Sequence, residues 1–453
     1  MEIKSVACFS FSLSAHEAMA YVRLIAPFRH LGIKLVDGLQ YKSGYEEIVD
    51  CVDLVILQRE FPMCFDKYQM IVEIARSKGK PIVMELDDLL FFLPDSHPDR
   101  RKHYYAPALL PMLQALIEAD ALIVSTPAMY DLLKYYKREI FVIPNYLDDT
   151  LWSFRPPSPT CSSPVTIGYM GTDSHKPDLE YVVPVLSSLL KRYSERLRLR
   201  FWGVQPPSEL LQFPQVEWFP VNYHSYEEFV SFFQSQSADI FIAPLVDNIF
   251  NRCKSPIKFF EYTALGAPGV FSRIDPYEGV IRHGRDGFLA YSLNEWEDFL
   301  IKLIEDANLR FRMATFAQAS VREHWLLSKN AARWREVLCT ILAQRRRKTA
   351  KFQRFLIIIK SINTQLFEAT QALESQVEQQ RQTIRALESQ VEQQRQTIRA
   401  LESQVEQQRQ TIQALNKEIL SYALSRSWRW TRPFRIIYKK WKSWRAKRLC
   451  GGN

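Results

Sequence analysis

Residues 238–272 read ADIFIAPLVDNIFNRCKSPIKFFEYTALGAPGVFS, and they combine an apolar run, a polar loop, a helical pattern and a glycine turn. The apolar run Ile240–Ala243 is closed by a proline, which is typical of a buried strand in a parallel sheet. Ser255 then offers an N-cap oxygen, and Pro256 suits the first position of a helix. Apolar residues recur at helical spacing up to Gly266, which is placed to end the helix. The segment therefore predicts strand, loop, helix and strand.

The start of this helix is predicted to bind an anion. Its free N–H groups and the positive end of its dipole point toward the carboxyl end of a parallel strand, where α/β proteins bind ligands. Lys254, Ser255 and Lys258 surround this point, and we interpret them as a cradle for a diphosphate. Glu261 lies within two turns of the cap, where a carboxylate can accept hydrogen bonds from ribose hydroxyls. A nucleotide-sugar site is indicated, and the alternative is a surface helix with solvated charges.

The run KFFEYTALGAPGV, residues 258–270, resembles the donor-site helix of retaining glycosyltransferases with two Rossmann-like domains, the GT-B architecture, and is closest to family 4. In that family a glutamate of an E-x7-E pattern binds the donor ribose, and Glu261 matches the second glutamate. Cys253 stands at the position of the first, and Lys254-Ser255-Pro256 replaces the family's Gly-Phe-Gly. The resemblance implies sugar transfer with retention of configuration, no metal, and no cofactor besides a nucleoside diphosphate sugar as donor substrate.

Length and composition are those of a globular protein with more than one domain. The 453 residues have room for two or three domains with sizeable cores. Seven scattered cysteines without a Cys-x-x-Cys pair fit a reducing compartment and argue against structural zinc or disulfides. No apolar run approaches the ~18–20 residues of a membrane span, and the first residues are too polar for a secretion signal. We therefore expect a cytoplasmic protein.

Residues 1–155 are predicted to form an N-terminal Rossmann-like domain that binds the acceptor, because short apolar runs alternate with helical patterns. One such helical pattern covers residues 15–27. The candidate strands are Ile3–Phe9, Leu54–Leu57, Ile82–Glu85, Ala121–Ser125 and Ile140–Ile143.

An acidic cluster follows the third candidate strand, at the edge expected to face the cleft between the domains. Carboxylates packed this closely repel one another and need a partner, such as a substrate hydroxyl, a base or a metal. The predicted catalytic residues are Asp87, Asp88 and Lys258. The predicted acceptor residues are Glu85, Asp87, Arg59 and His16. The alternative is that one aspartate caps a turn and the other acids face water.

Residues 156–164 are a linker by composition, and 165–344 are predicted to form the nucleotide-sugar-binding domain. Its first strand ends in a glycine turn, where the family brings backbone close to the donor phosphates. Gly171 and Thr172 are therefore added to the predicted donor site, which otherwise consists of Lys254, Ser255, Lys258 and Glu261. His175 and Lys176 are secondary candidates. The helical pattern from residue 294 to 344 is predicted to cross back onto the first domain.

A basic connector, 345–371, leads into an internal duplication. The sequence ALESQVEQQRQTIR of residues 372–385 recurs at 386–399 and, with one change, at 400–413. Fourteen residues are two heptads, with Val or Ile at position a and with Leu alternating with Gln at position d. This pattern favours a parallel dimer. We predict a homodimeric coiled coil over 372–420, and the alternative is a lone, partly frayed helix.

The basic charge is concentrated in the tail, 421–453. Ten Lys or Arg and no acids follow Glu418, and without these ten charges the net charge falls from +9 to −1. Five apolar or aromatic residues share one helical face: Phe434, Ile437, Tyr438, Trp441 and Trp444. This pattern is typical of a helix lying on an anionic membrane, predicted here for 426–448, and nucleic acid is the less favoured partner. The predicted location is peripheral, on the cytoplasmic face of the inner membrane.

The sequence thus predicts a glycosyltransferase that moves a sugar from a nucleoside diphosphate to a glycan, lipid-linked or protein acceptor. The tail resembles those of bacterial surface-glycan enzymes, which implies a role in surface-glycan synthesis. A degenerate transferase body used as a coiled-coil scaffold for membrane or nucleic acid is the main alternative. A GT-B epimerase acting on the same nucleotide sugar is a further one.

Overall fold

The computed structural model divides into two units, Met1–Gln365 and Leu366–Asn453. The described residues are 2–40, 44–137, 139–159, 163–344, 350–425 and 429–449. Parts of four predicted segments lie outside the described residues: 1, 41–43 and 138 of the N-terminal domain, 160–162 of the linker, 345–349 of the connector, and 426–428 and 450–453 of the tail.

The first unit begins with a six-stranded parallel sheet in the order β2-β1-β3-β4-β5-β6. Its strands are β1 Ser5–Phe9, β2 Lys34–Asp37, β3 Leu54–Gln58, β4 Ile82–Leu86, β5 Ala121–Val124 and β6 Ile140–Val142. The five predicted strands are confirmed to within two residues at each end. β2 was missed, because this edge strand is only partly buried and carries no continuous apolar run.

The helices around this sheet are α1 Ala18–Ala20, α2 Ala26–Leu31, α3 Tyr45–Asp50, α4 Phe65–Ser77, α5 Pro98–Arg101, α6 Ala106–Glu118 and α7 Pro127–Leu133. The helix predicted for 15–27 starts later and is irregular, because a π-helical turn, Tyr21–Ile25, joins α1 to α2. Gly32 ends α2 in the left-handed conformation, with φ +67°, which glycine adopts without strain.

The second sheet of this unit is also six-stranded and parallel, in the order β12-β11-β10-β7-β8-β9. Its strands are β7 Val165–Gly171, β8 Leu197–Gly203, β9 Val216–Phe219, β10 Ile240–Ala243, β11 Gly269–Ser272 and β12 Phe288–Ala290. Its helices are α8 Lys176–Tyr193, α9 Tyr226–Ser235, α10 Ile249–Arg252, α11 Ile257–Ala264, α12 Leu293–Glu305, α13 Ala307–His324, α14 Leu327–Asn330 and α15 Ala332–Ala343.

The predicted strand–helix–strand unit is β10, α11 and β11. Gly266 follows α11 with φ +80°, and a Cβ there would lie 2.6 Å from the carbonyl oxygen of Arg155, so only glycine fits. The predicted cap was wrong by one position. Pro256 itself occupies the N-cap with ψ 24°, outside the helical range, and no side chain caps the helix. Ser255 Oγ is instead buried without a hydrogen-bond partner among the described residues.

The last helices of the second domain return to the first. In α15, Trp334 packs its ring edge against Phe28 of α2, with centroids 5.4 Å apart. The Arg23 guanidinium lies 5.3 Å from the same indole. An isolated bridge between Leu147 and Leu326 adds backbone hydrogen bonds. The two sheets are therefore parts of one compact unit.

The chain continues in two further helices, α16 Ala350–Leu424 and α17 Arg432–Leu449. The repeats lie on α16, and their a and d apolar side chains, Leu373 to Ile419, are 46–64% exposed. The helices are as predicted, and their pairing with another chain stays a prediction. None of the helices in the described part of the chain is both long and apolar enough to cross a bilayer.

Candidate functional site

A cavity of about 210 Å³ opens where β7 and β8 end. Its lining residues are Met170, Gly171, Thr172, Asp173, Gly203, Val221, Tyr223 and Phe229. Gly203 has φ +86°, and a Cβ there would lie 2.4 Å from the carbonyl oxygen of Gly171. The two strand ends approach this closely because glycine has no side chain. Backbone therefore forms much of the cavity floor, and two predicted donor residues, Gly171 and Thr172, line it.

Lys258, in the first turn of α11, reaches the end of β7. Its Nζ donates a 2.6 Å hydrogen bond to the carbonyl oxygen of Met170 and lies 5.2 Å from the ring centre of Tyr169. Burial lowers the pKa of Lys258 to about 8, with Glu261 opposing the shift and the charge of Lys254 contributing to it. The Lys258 ammonium group is thus held beside the cavity. Glu261 stabilises its positive charge, and a bound anion would stabilise it further.

Glu261 lies one turn further along α11, and the residue is 5% exposed. Tyr226 donates its hydroxyl proton to Glu261 Oε1 at 3.0 Å, and Trp152 in turn donates to the Tyr226 oxygen at 3.2 Å. Burial raises the pKa of Glu261 to about 7, while Lys258 and Tyr226 oppose the rise. Because the tyrosine is bonded to one carboxylate oxygen, the other can accept hydrogen bonds from a ligand.

The loop before α11 carries the other predicted phosphate ligands. The Lys254 ammonium lies 4.6 Å from the ring centre of Phe250, and its charge lowers the pKa of Lys258 and of His175. Ser255 Oγ is buried and unpartnered, as noted above. An unpaired buried hydroxyl costs free energy, so such a group beside two lysines suits an anionic ligand that completes it. The structure brings Lys254, Lys258 and Glu261 to one end of the sheet.

The predicted acids of the first domain occupy the opposite side of the cleft. Asp87 and Asp88 follow β4 directly. Thr126, after β5, donates to the carbonyl oxygen of Cys253 at 3.0 Å, and the charge of Asp88 adds to burial in raising the pKa of Cys253 to about 12. The carboxyl ends of the two sheets therefore face each other.

Asp87 belongs to a buried charged cluster with Arg59. Arg59 Nε lies 3.7 Å from Asp87 Oδ1 and 3.1 Å from Glu60 Oε2, and all three atoms lack a hydrogen bond among the described residues. Arg59 has φ +48°, which is strained for a residue with a side chain. Burial and, to a lesser extent, the charge of Asp88 raise the pKa of Asp87 to about 7, against the opposing charge of Arg59.

Glu85 is held in a different way. It is fully buried, and its two oxygens accept hydrogen bonds from Arg23 Nε at 2.7 Å and from Gln58 Nε2 at 2.9 Å. Arg23 also donates to Asn145 Oδ1 at 2.8 Å. This geometry favours a structural role for Glu85, whose part in acceptor binding stays a prediction.

His16 lies at a second junction between the domains. Its Nδ1 is 3.0 Å from Glu227 Oε1, and its carbonyl oxygen accepts from the backbone N–H of Tyr226 at 2.9 Å. A cavity of about 340 Å³ adjoins it, lined by Leu13, Ser14, His16, Ile25, Arg29, Ile33, Leu35 and Asp37. These contacts join His16 to Glu227 and Tyr226 of the second domain, whereas Arg59 and Asp87 contact each other.

Several site residues were missed at the sequence level. Tyr226 and Tyr223 come from the segment around the start of α9, which contains no motif, and Tyr105 accepts a 3.1 Å hydrogen bond from Arg59. Only the tertiary fold brings these phenols to the charged groups. Within the described residues, no group of three His, Cys, Asp or Glu side chains is arranged to hold a metal ion.

Comparison with known proteins agrees with this geometry. Residues 164–306, about a third of the chain, match the family model described as Glycosyl transferases group 1. Sucrose-phosphate synthase from Thermosynechococcus elongatus is 13% identical with a TM-score of 0.54, and the match covers 75% of this chain and 99% of that one. The fold is GT-B. The resemblance to GT-B glycosyltransferases predicted from residues 258–270 is thereby confirmed.

Another GT-B structure, Anabaena Alr3699/HepE in complex with UDP and glucose, is 12% identical with a TM-score of 0.53 over 74% of this chain and 100% of that one. HepE in complex with UDP-glucose is 13% identical with a TM-score of 0.52, over 74% and 99%. The sequence has no match among curated proteins. At these identities the likeness establishes the GT-B fold alone.

Proposed function

We propose that the protein is a glycosyltransferase that transfers a sugar from a nucleoside diphosphate donor to an acceptor in the cleft. The observation that carries the proposal is the pairing of half-buried Lys258 with buried Glu261 beside the cavity at the ends of β7 and β8. A cation and a carboxylate one helical turn apart match the diphosphate and the adjoining ribose of a nucleoside diphosphate. The family match over this same domain supports the proposal.

In this proposal the donor lies across the end of the second sheet. Lys254, Lys258 and the Ser255 hydroxyl bind the diphosphate and stabilise the charge that develops on it as the sugar leaves. Glu261 accepts hydrogen bonds from the ribose. Backbone at Gly171 contacts the phosphates, as does Thr172. HepE was solved with UDP and with UDP-glucose, which makes UDP the first ligand to test here.

The first domain supplies the acceptor side. Asp87 has a pKa of about 7, so it can exchange a proton near neutral pH with an acceptor hydroxyl. The charge of Asp88 acts on Cys253 of the second domain, and in this proposal Asp88 stabilises positive charge at the sugar carbon while Arg59 orients the acceptor. Glu85 and His16 complete the predicted acceptor residues. Retention of configuration, absence of a metal requirement, and a glycan, lipid-linked or protein acceptor in surface-glycan synthesis follow from the resemblance.

Binding of UDP by calorimetry tests the proposal. The full-length protein should bind UDP, and Glu261→Ala should lose at least about tenfold in affinity because two charge-assisted hydrogen bonds to ribose disappear. Glu209→Ala, an exposed glutamate of the same domain, is the matched control and should leave the affinity unchanged. Equal affinity in wild type and Glu261→Ala, or no binding by either, would favour the alternative function, a degenerate transferase body that serves as a coiled-coil scaffold.

The scaffold has one specific observation in its favour. Cys253 stands where the family has its first glutamate, and this cysteine is buried against the first domain with a pKa of about 12, so it does not supply a negative charge near neutral pH. Turnover separates the two candidates, since a scaffold that retains UDP binding would release no UDP from a sugar nucleotide at any acceptor concentration.

The exposed seam of α16 supports self-association as a parallel homodimer through 372–420. Its a and d side chains lose exposed apolar area only when another helix covers them. Light scattering should give a dimer for the wild type and a monomer for Val391→Lys with Ile398→Lys, which place charges at two a positions. Ser389→Lys with Gln396→Lys adds the same charge at outward positions and should stay dimeric. A monomeric wild type would contradict the dimer.

The apolar face of α17 supports binding to an anionic membrane surface from the cytoplasmic side. Phe434, Tyr438, Trp441 and Trp444 are all exposed, and lysines and arginines surround them. Vesicles containing phosphatidylglycerol should bind the protein, and Trp441→Ala with Trp444→Ala should weaken binding more than Trp430→Ala. Tight binding to DNA without binding to vesicles would favour nucleic acid as the partner.

A further inference from the structure

A buried carboxylate connects two parts of the donor site that the roles above leave unexplained. Asp178, in the first turn of α8, is 4% exposed and has no role in the proposal so far. Its Oδ2 lies 3.0 Å from His175 Nδ1. Its Oδ1 accepts the backbone N–H of Val246 at 2.9 Å and the Asn251 side-chain amide at 2.7 Å. One carboxylate therefore holds an imidazole and also the loop that leads to Lys254.

The contact with Asp178 fixes the tautomer of His175. An ionised carboxylate only accepts hydrogen bonds, so Nδ1 must carry the proton and Nε2 keeps its lone pair. Burial, together with the charges of Lys254 and Lys258, lowers the pKa of His175 to about 3, against the opposing effect of Asp178. His175 is therefore neutral, with Nε2 as a hydrogen-bond acceptor.

This acceptor is open to a ligand. The His175 side chain is 14% exposed, and Nε2 has no hydrogen-bond partner within the described residues. Two observations place His175 near the diphosphate cradle. It follows Thr172, which lines the cavity, by three residues, and the charges of Lys254 and Lys258 contribute to its lowered pKa. An accessible lone pair thus lies beside two ammonium groups.

The chemistry of Nε2 selects its partner. Phosphate oxygens are acceptors and would repel the lone pair, so the partner must be a donor. A sugar nucleotide donates from its hydroxyls and from the N–H of its base, and in the proposed binding mode the base enters the cavity at the ends of β7 and β8. Glu261 already serves the ribose. We propose that His175 accepts a hydrogen bond from a hydroxyl of the transferred sugar, and that Asp178 is the positioning residue that holds it in this form. The inference rests on the proposed function, because it names a contact within that donor site.

Two substitutions distinguish the effect of Asp178 on the His175 tautomer from its effect on the loop that leads to Lys254, which Asp178 anchors through Val246 and Asn251. In Asp178→Asn, the amide oxygen can still accept from Val246 and Asn251, while the amide nitrogen donates to His175 Nδ1. The imidazole proton then moves to Nε2, which becomes a donor instead of an acceptor. Asn251→Ala weakens the loop anchor and leaves the His175 contact in place.

Calorimetry with UDP and with UDP-glucose, UDP-galactose and UDP-N-acetylglucosamine tests the sugar contact on the full chain. For the sugar nucleotide that binds most tightly, His175→Ala and Asp178→Asn should each lose about tenfold in affinity, with UDP affinity unchanged. His175→Gln should restore part of the loss, because its amide oxygen can occupy the place of Nε2. His30→Gln, an exposed histidine, is the control, and Asn251→Ala should affect UDP and sugar nucleotide alike.

Two results would overturn the inference: equal losses for UDP and sugar nucleotide in Asp178→Asn, or no loss in either His175 variant. If the wild type binds UDP, such a result leaves the proposed function intact; if it binds neither UDP nor a sugar nucleotide, both fail. NMR of 15N-histidine protein gives an independent reading. The His175 signal, assigned with His175→Gln, should show an unprotonated Nε2 in the wild type and a protonated one in Asp178→Asn, and the reverse would refute the positioning role.

Discussion

The two walls of the cleft hold their charged groups in different ways. On the second-domain wall, Lys258 donates to a backbone carbonyl and Glu261 accepts from Tyr226, so each charge has a partner in the protein. On the first-domain wall, Arg59, Glu60 and Asp87 each keep a buried polar atom without a hydrogen bond. Native proteins rarely leave such atoms unpaired. We infer that the charged groups of the donor wall are preformed, although the Ser255 hydroxyl there is also unpartnered among the described residues, and that the charged cluster of the acceptor wall is completed by its ligand.

The largest effect is expected at the donor wall. Lys258→Ala removes one of the two positive charges proposed to stabilise the departing diphosphate, and loss of one such group typically costs about 10²–10³-fold in turnover. Release of UDP from the best sugar nucleotide measures it. Lys302→Ala, an exposed lysine on α12, is the matched control. A loss below threefold would remove Lys258 from the proposed machinery.

A smaller effect is expected where the donor wall supports its carboxylate. Tyr226→Phe removes the hydrogen bond to Glu261 Oε1 and keeps the ring packing, so the carboxylate becomes less well oriented. UDP affinity should fall about tenfold, since hydrogen bonds to charged groups contribute roughly 1.5–3 kcal/mol. Calorimetry measures it against Tyr135→Phe, an exposed tyrosine. Unchanged affinity would show that Glu261 does not depend on this preformed contact.

The smallest effect is expected at the acceptor wall, where Asp87 should make the folding stability of the protein depend on pH. The pKa of Asp87 is raised from 3.8 to about 7 in the folded protein, so the folded state holds a proton that the unfolded state has lost. Stability must therefore fall as pH rises from about 4 to about 7. Asp87→Asn should reduce this fall and raise Tm by a few degrees at pH 8, with little change at pH 4. A lower Tm at pH 8 would show that Asp87 is ionised and well paired.

Much of the donor wall could be predicted because one short segment encodes it. The apolar run of β10, the glycine after α11 and the charges between them lie within residues 238–272, so spacing alone brings Lys258 and Glu261 to the sheet edge. The helix cap was misplaced by one residue, since Ser255 and Pro256 both suit a helix start and the sequence does not rank them.

The acceptor wall was less predictable because its contacts are distant in sequence. The acids after β4 lie close together in sequence, and yet Glu85 turns out to face Arg23, 62 residues earlier, while Asp87 faces Arg59. Glu85 lies within β4, whereas Asp87 follows its last residue, Leu86, so the loop after the strand sets the direction of Asp87 and one acidic run supplies both a structural and a cleft-facing carboxylate. Partners such as Tyr105 and Tyr226 carry no motif, and only the fold reveals them.

A crystal structure of the protein with UDP tests the central claim most directly. The account predicts the diphosphate within hydrogen-bond distance of Lys258 Nζ, Lys254 Nζ and Ser255 Oγ, and the ribose hydroxyls on the free oxygen of Glu261. Uracil should enter the cavity at the ends of β7 and β8. Nucleotide bound elsewhere, or bound here with Glu261 turned away from the ribose, would contradict it.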